Sequence, residues 1–337
     1  MRKKWLLLLM GLVVIFMLAA CGSKSQDDVV KELKGKQGDL TSYKVNATMT
    51  LKMGADSQVY KVEIWHKDPT FYRVNLKNAE KDQSQMILRN NQGVFVLTPA
   101  LNKSFRFQSD WPQNSSQAYL YESLIKDIVA DKEAKFTSTK DHYVFETKTR
   151  YQNNSMLPIQ EIKLNKSDLS PAMVKVMDPD RNALVTVEFS KVTFNASFDK
   201  DDFDMKKNMT RAQLNLPAMA TGGDQAFTVM YPTYKLTGTK LIGEKTINIQ
   251  DGKRVVLTYD GKKSFTLVQE KVTAKVASTS PTNVEGDIVD LGVTIGAVSD
   301  HSLSWSHGGV DYMIASKNLT TEEMIEVAKS VQGDAVK

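Results

Sequence analysis

A single cysteine in 337 residues leaves no partner for an internal disulfide and no thiolate cluster for a structural metal, so folding must rest on packing alone. The four histidines, His66, His142, His301 and His307, never fall at the HExxH spacing that sets two imidazoles on one helical face around zinc. No GxxxxGKS/T or GxGxxG sequence is present to cradle a phosphate, and the glycine pairs at 222–223 and 308–309 read as turns. Asp300-His301 beside Ser302, Ser304 and Ser306 has the residue types of a hydrolase, and His307-Gly308-Gly309 those of an oxyanion loop. Without a GxSxG elbow to present a nucleophile, that stretch reads as a polar turn between two strands. Asp178-Pro179-Asp180-Arg181-Asn182 opens like a calcium loop, but Ala183 stands where the sharp turn needs glycine and Phe189 where a bidentate glutamate is needed, so it reads as a hairpin turn. No catalytic residue, metal site or cofactor is expected.

Charge of one sign is also lacking. The 44 Lys+Arg balance 39 Asp+Glu, with 41% hydrophobic and 25% charged residues, which is globular composition. Lysines alternate with acids along the chain rather than clustering with aromatics, so a nucleic-acid partner is not suggested. The length allows two domains, and no internal repeat is evident.

Residues 1–20 read as an export signal. Met1-Arg2-Lys3-Lys4 is basic, and the uncharged run Trp5 to Ala20 spans sixteen residues, short of the ~20 a membrane-crossing helix needs. Leu18-Ala19-Ala20-Cys21 has the pattern of a bacterial lipobox, so Cys21 is expected to carry a diacylglyceryl group and become the mature N-terminus. Losing three basic residues with the signal leaves 41 against 39. Residues 21–26 form a lipidated tether, which places the body at the extracytoplasmic face of the cell membrane.

Asp27 to Leu40 has the first-turn acids and apolar spacing of a helix. Lys44 to Met53 alternates strictly, which predicts a half-buried strand, and runs at 59–66, 71–77, 84–89, 93–98 and 103–107 continue it as a meander. Ser115 and Ser116 precede Leu120, Tyr121, Leu124, Ile125 and Ile128, which predicts a capped helix. Strands resume at 142–149, 157–165, 172–177 and 183–189. Residues 216–225 lack periodicity and read as a linker between a domain at 27–215 and a small one at 226–337. The second has strand-like runs at 234–242, 246–250, 253–259, 264–270, 288–295 and 310–315. Thr320 and Glu323 are spaced as a capping box for a terminal helix. The fold class is α+β, mainly antiparallel β, with a helical lid over a curved sheet.

Ile64-Trp65-His66-Lys67-Asp68-Pro69-Thr70-Phe71-Tyr72-Arg73-Val74 resembles the aromatic, basic, proline, aromatic, arginine segment of the LolA family of lipoprotein carriers. Asn90 to Pro99 is similar to the hairpin that follows it, and the hairpin at 178–189 and Phe194 to Asp199 before Asp202-Phe203 extend the match. The resemblance implies an unclosed half-barrel whose helices cover a hydrophobic cavity for acyl chains, and no catalysis. It implies Phe71 and Arg73 at the cavity edge, with Trp65, Phe95, Leu97, Phe105 and Phe107 in the wall. The rings alone fit either a packed core or a pocket, which cavity volume separates; Arg73 alone fits a surface ion pair.

A lipid anchor and a second domain make the chain more similar to the LolA-like lipoproteins of monoderm, spore-forming bacteria. Leu303-Ser304-Trp305-Ser306, Val310 to Ala315 and the closing helix resemble a small domain of unknown function found in such envelope proteins. RseB-type sensors pair the same kinds of domain. Two functions stay open: binding of a lipid or acylated ligand in the cell envelope, or a scaffold that regulates a cell-wall enzyme or membrane protein during sporulation or germination.

Overall fold

The computed structural model describes residues 24–53, 56–80, 84–113, 116–151, 156–214, 228–249, 252–272, 281–284, 286–291 and 294–331. The expected signal at 1–20, the lipidation site Cys21, the cap candidate Ser115 and the linker at 216–225 lie outside these residues.

Helix α1 (Gln26–Asp39) starts where Ser25 accepts from the Asp28 N–H and the Asp28 carboxylate accepts from Ser25 in return, satisfying two of the free donors at its end. Val29 and Leu33, one turn apart, are its fully buried side chains and face the sheet. The strict alternation at 44–53 becomes β1 (Ser42–Met53), followed by β2 (Asp56–Lys67), β3 (Phe71–Asn78), β4 (Ser84–Asn90), β5 (Gly93–Thr98) and β6 (Lys103–Phe107). Then come α2 (Tyr121–Ala130), β7 (Lys135–Ser138), β8 (His142–Lys148), β9 (Ile159–Asn165), β10 (Pro171–Met177), β11 (Ala183–Phe194) and α3 (Met205–Leu214). The turn between β10 and β11 is the expected one at 178–182: the Asp178 carboxylate accepts from the Asn182 main-chain N–H and side-chain amide.

The second part holds β12 (Thr239–Ile249), β13 (Gly252–Gly261), β14 (Phe265–Val272), β15 (Thr282–Val284), β16 (Asp287–Asp290), β17 (Ile295–Val298), β18 (Ser302–His307), β19 (Val310–Ala315) and α4 (Thr321–Ser330). The Thr320–Glu323 capping box is present at α4. Four readings need correction. Ser116 does not cap α2, whose N-cap is Leu120 without a side-chain cap, and donates to Asp127 instead. The run at 234–242 is strand only from Thr239, where it continues without a break into the run at 246–249 as one strand, β12. The run at 288–295 is two strands, because the Leu291 N–H closes a turn onto the Thr294 carbonyl at 2.9 Å. The serine-rich stretch after His301 is itself strand β18, with Leu303 and Trp305 buried on one face and the serines on the other.

One sheet has the order β15-β6-β5-β4-β3-β2-β1-β11-β10-β9-β8-β7, antiparallel except for the β15–β6 pair. Its two end strands do not meet, so it is an unclosed half-barrel, with α1 and α2 covering the inner face. The other sheet, β12-β13-β14-β19-β18-β17-β16, is antiparallel throughout and is packed on one face by α4.

The two parts join at the β6 side. β15 pairs with β6, setting Thr282 against Phe105 and Val284 against Phe107. Ile288 and Ile295 are buried in the half-barrel's own apolar cluster. Gln85 accepts from the Ile295 N–H at 2.7 Å, and Lys103 pairs with Asp311. The second part thus closes one end of the first part's inner face.

Candidate functional site

Strand register decides where the seven predicted cavity residues point. The inner row runs Val45, Ile64, Val74, Ile87, Val96 and Phe105 across six strands, and the next runs Tyr43, His66, Tyr72, Arg89, Val94 and Phe107. Side chains alternate faces, so Trp65, Phe71, Arg73, Phe95 and Leu97 stand on the opposite, outer face. Only Phe105 and Phe107 belong to the helix-covered interior. The seven therefore do not share one wall, and the expectation that they line a single cavity is corrected.

The outer five sit under a cover that the sequence reading lacked. Phe198, Phe203 and α3, through Met205 and Met209, pack against Met86, Leu88, Phe95 and Leu97 in a cluster of their own. Phe71 meets Phe203 with ring centres 5.6 Å apart. The Arg73 guanidinium lies 4.0 Å over the Trp65 ring and 3.4 Å from Glu63, which also accepts from the Trp65 indole at 2.8 Å. Burial pushes the Arg73 pKa down and Glu63 opposes it; a guanidinium stays charged under such a shift. Lys44 completes the group, 4.6 Å from both the Trp65 and Phe198 rings. Arg73 is thus a stacked, mostly buried cation rather than an exposed ion pair.

On the inner face, apolar side chains pack beneath the lid. Tyr43, Leu124, Ile125 and Phe145 are 0% exposed, and the Tyr121 hydroxyl donates to the Leu169 carbonyl at 2.9 Å. Burial pushes the phenol pKa values of Tyr43, Tyr72 and Tyr121 up, Glu122 adding to each. Where the lid meets the β2–β3 turn, a cleft of about 200 Å³ opens, its lining including His66, Asp68, Tyr72, Glu122, Lys126 and Arg150. Two of its lining rings, His66 and Tyr72, stack with centres 4.4 Å apart, and Tyr43 lies tilted against His66 at 5.1 Å.

His66 Nδ1 lies 3.1 Å from the Phe71 carbonyl, which can only accept, so Nδ1 carries its hydrogen. His66 Nε2 faces Glu122 Oε1 at 2.9 Å while Tyr43 donates to Oε2 at 2.7 Å. One turn along α2, Asp127 is fully buried and accepts from Ser116 at 2.8 Å, from Gln160 at 2.6 Å and from Arg150. These contacts fix the lid to β9 and to the chain after β8. Asp127 had a legible signal, an acid within the apolar stripe Leu124, Ile125 and Ile128; its distant partners had none. Among the described residues no group of three or more His, Cys, Asp or Glu is placed to hold a metal.

A family model described as "Sporulation protein YdcC-like" matches residues 1–203. Sporulation protein YdcC of Bacillus subtilis (strain 168) is 56% identical over 336 residues, covering 100% of this chain and 99% of the relative. The chain belongs to the YdcC-like family of sporulation proteins. The family match takes in β1 to β11 with both lid helices and stops just before α3, whereas the Bacillus relative extends through the second sheet. Among solved structures, the Pseudomonas aeruginosa MucA/MucB complex is 12% identical with a TM-score of 0.31, covering 90% of this chain and 100% of the matched one. A LolA-superfamily protein from Nitrosomonas europaea is 12% identical with a TM-score of 0.28, covering 51% and 96%. Both likenesses are loose. The YdcC-like chain's own topology is an open antiparallel sheet wrapped over helices.

Proposed function

We propose that this sporulation-associated protein is a lipid-anchored scaffold on the extracytoplasmic face of the cell membrane, which holds or regulates a cell-wall enzyme or membrane protein rather than carrying an acyl chain or catalysing a reaction. The observation that supports this reading is the apolar cluster inside the half-barrel: Tyr43, Leu124, Ile125 and Phe145 are buried together under the lid, and Ile288 and Ile295 join them at the β6 end. Ligand pockets are roughly 300–1,000 Å³ and mostly apolar; the lid cleft, at about 200 Å³, and a more open hollow of about 430 Å³ beside Asp131, Glu133 and Lys148 are both lined largely by polar and charged residues. Among the described residues no helix is long and apolar enough to cross a membrane. In this proposal, attachment runs through an acylated Cys21.

Two measurements on the same protein test it. Native mass spectrometry of a Cys21→Ser protein made in bacteria is expected to give the bare polypeptide mass, and crosslinking of the anchored protein in its own membranes is expected to recover one stoichiometric protein partner. One lipid retained per chain by the Cys21→Ser protein, with no protein partner recovered, would overturn the scaffold and restore the acyl-carrier reading.

A further inference from the structure

We propose that the outer edge of β12 is a docking strand that takes up an acidic, extended segment of a protein partner; this deepens the scaffold reading and rests on it. β12 ends its sheet and runs for 11 residues, whereas the other end strands are β16 and β7 with 4 each and β15 with 3. A terminal strand presents a row of N–H and C=O groups ready to pair with another chain, and eleven residues is long for one left uncovered. Among the described residues, nothing pairs with that side of β12.

The exposed apolar side chains gather at the same place. Of the eight large hydrophobic residues that are exposed among those described, five, Tyr231, Tyr234, Leu241, Ile242 and Ile247, lie on β12 or on the segment leading into it. Ile242 is 65% exposed and sits where the β12–β13 register slips between Leu241 and Gly243, a bulge that turns its side chain out of the ladder. Tyr231 ties the leading segment to the strand by donating to Glu244 at 2.7 Å, and that contact pushes its phenol pKa up.

Charge selects among the occupants. Lys235, Lys240 and Lys245, with Lys253 on the adjoining strand, are exposed at this edge. Glu244 is engaged by Tyr231, and Arg254 on β13 is paired with Glu270. A second copy would bring the same positive edge against this one, which repels. An acidic membrane surface would satisfy the lysines but leave the backbone ladder unpaired. An extended polypeptide with acids between aliphatic residues satisfies the ladder, the apolar rim and the lysines together, the mode of strand addition.

The test uses the full-length protein in detergent and, as probe, a labelled ten-residue peptide alternating valine and glutamate, followed by fluorescence anisotropy. Saturable binding is expected, weakened at least tenfold by N-methylation of alternate peptide amides, by lysine in place of glutamate, and by the Lys240→Glu/Lys245→Glu double variant. Ile242→Asp is expected to weaken it similarly with the thermal midpoint unchanged, since that side chain packs against little. Binding that survives N-methylation or the charge reversals overturns the proposal. So does a peptide that fails to bind while the chain dimerises through β12 or adsorbs to phosphatidylglycerol vesicles through its lysines. If the peptide fails but crosslinking in membranes still recovers a stoichiometric partner, the docking strand falls and the scaffold stands; absence of any partner removes the scaffold itself.

Discussion

The Gln85 side-chain oxygen accepts the main-chain N–H of Ile295 at 2.7 Å, so a residue on β4 of the half-barrel completes the backbone of β17 in the second sheet. Thr294 approaches the same oxygen at 3.3 Å, and Ile288 and Ile295 bury their side chains beside it. The two sheets are therefore joined by apolar burial under a polar clasp, in addition to the linking chain.

Removing either component should loosen the junction. Gln85→Ala leaves the Ile295 N–H without its partner, at about 1–3 kcal/mol. Ile288→Ala and Ile295→Ala should each cost about 2–5 kcal/mol, as buried aliphatic truncations do. Calorimetry is the check: the isoleucine double variant is expected to melt in two separated transitions where the native chain melts in one. An unchanged single transition would mean that the sheets are not coupled through this contact.

Asp127 gives a second expected outcome. It is 0% exposed at its side chain and its charge is met by Arg150, Ser116 and Gln160. Asp127→Ala strands Arg150 and should cost about 3–5 kcal/mol, whereas replacing Arg150 as well should recover part of the loss. Urea denaturation of the single and double variants measures the difference; equal losses in both would show that the pair is not the coupled unit.

How far the sequence reveals this arrangement varies by element. The β1 pattern is readable because one face carries Val45, Ala47, Met49 and Leu51 and the other carries Lys44, Asn46, Thr48 and Thr50, so burial is one-sided. β5 is not readable in that way: Val94, Phe95, Val96 and Leu97 are all buried, because lid and α3 cover opposite faces of the same strand. Alternation cannot then say which residues face the interior, and five of the seven predicted cavity residues point outward. α3 itself escapes notice since Lys206, Lys207, Asn208, Arg211 and Gln213 leave it only a thin apolar stripe. The Glu122–His66 contact joins residues far apart in sequence and has no local signal.

The acid limb of stability should depend on Glu146. Hydrogen bonds from Arg181 and Lys135 hold its carboxyl at about 2, below the ordinary 4.5. A depressed carboxyl contributes stability above its unfolded pKa and loses that contribution as pH falls through the folded value, so the loss falls between about 4.5 and 2. Its partners are 75% and 52% exposed, so screening reduces the contribution to about 1 kcal/mol. Glu146→Gln should lower the urea midpoint at pH 7 and converge with the native chain near pH 2. Parallel curves across that range would rule the contribution out.

The Glu122–His66 contact makes the sharpest demand. Nδ1 of His66 donates to the Phe71 carbonyl, Nε2 lies 2.9 Å from Glu122 Oε1, and Tyr43 donates to the other carboxylate oxygen at 2.7 Å. In Glu122→Gln the amide carbonyl still accepts from Tyr43, while the amide N–H is placed to donate to His66 Nε2. That variant should keep the lid seated and stay within about 1 kcal/mol of the native chain, as conserved hydrogen bonds allow. Glu122→Ala instead leaves the Tyr43 hydroxyl and His66 Nε2 buried without partners, at about 1–3 kcal/mol for each. Urea midpoints, with hydrogen exchange of the α2 amides to report the lid, separate the two. If glutamine and alanine prove equally damaging, the contact does not hold the lid in the way its geometry implies.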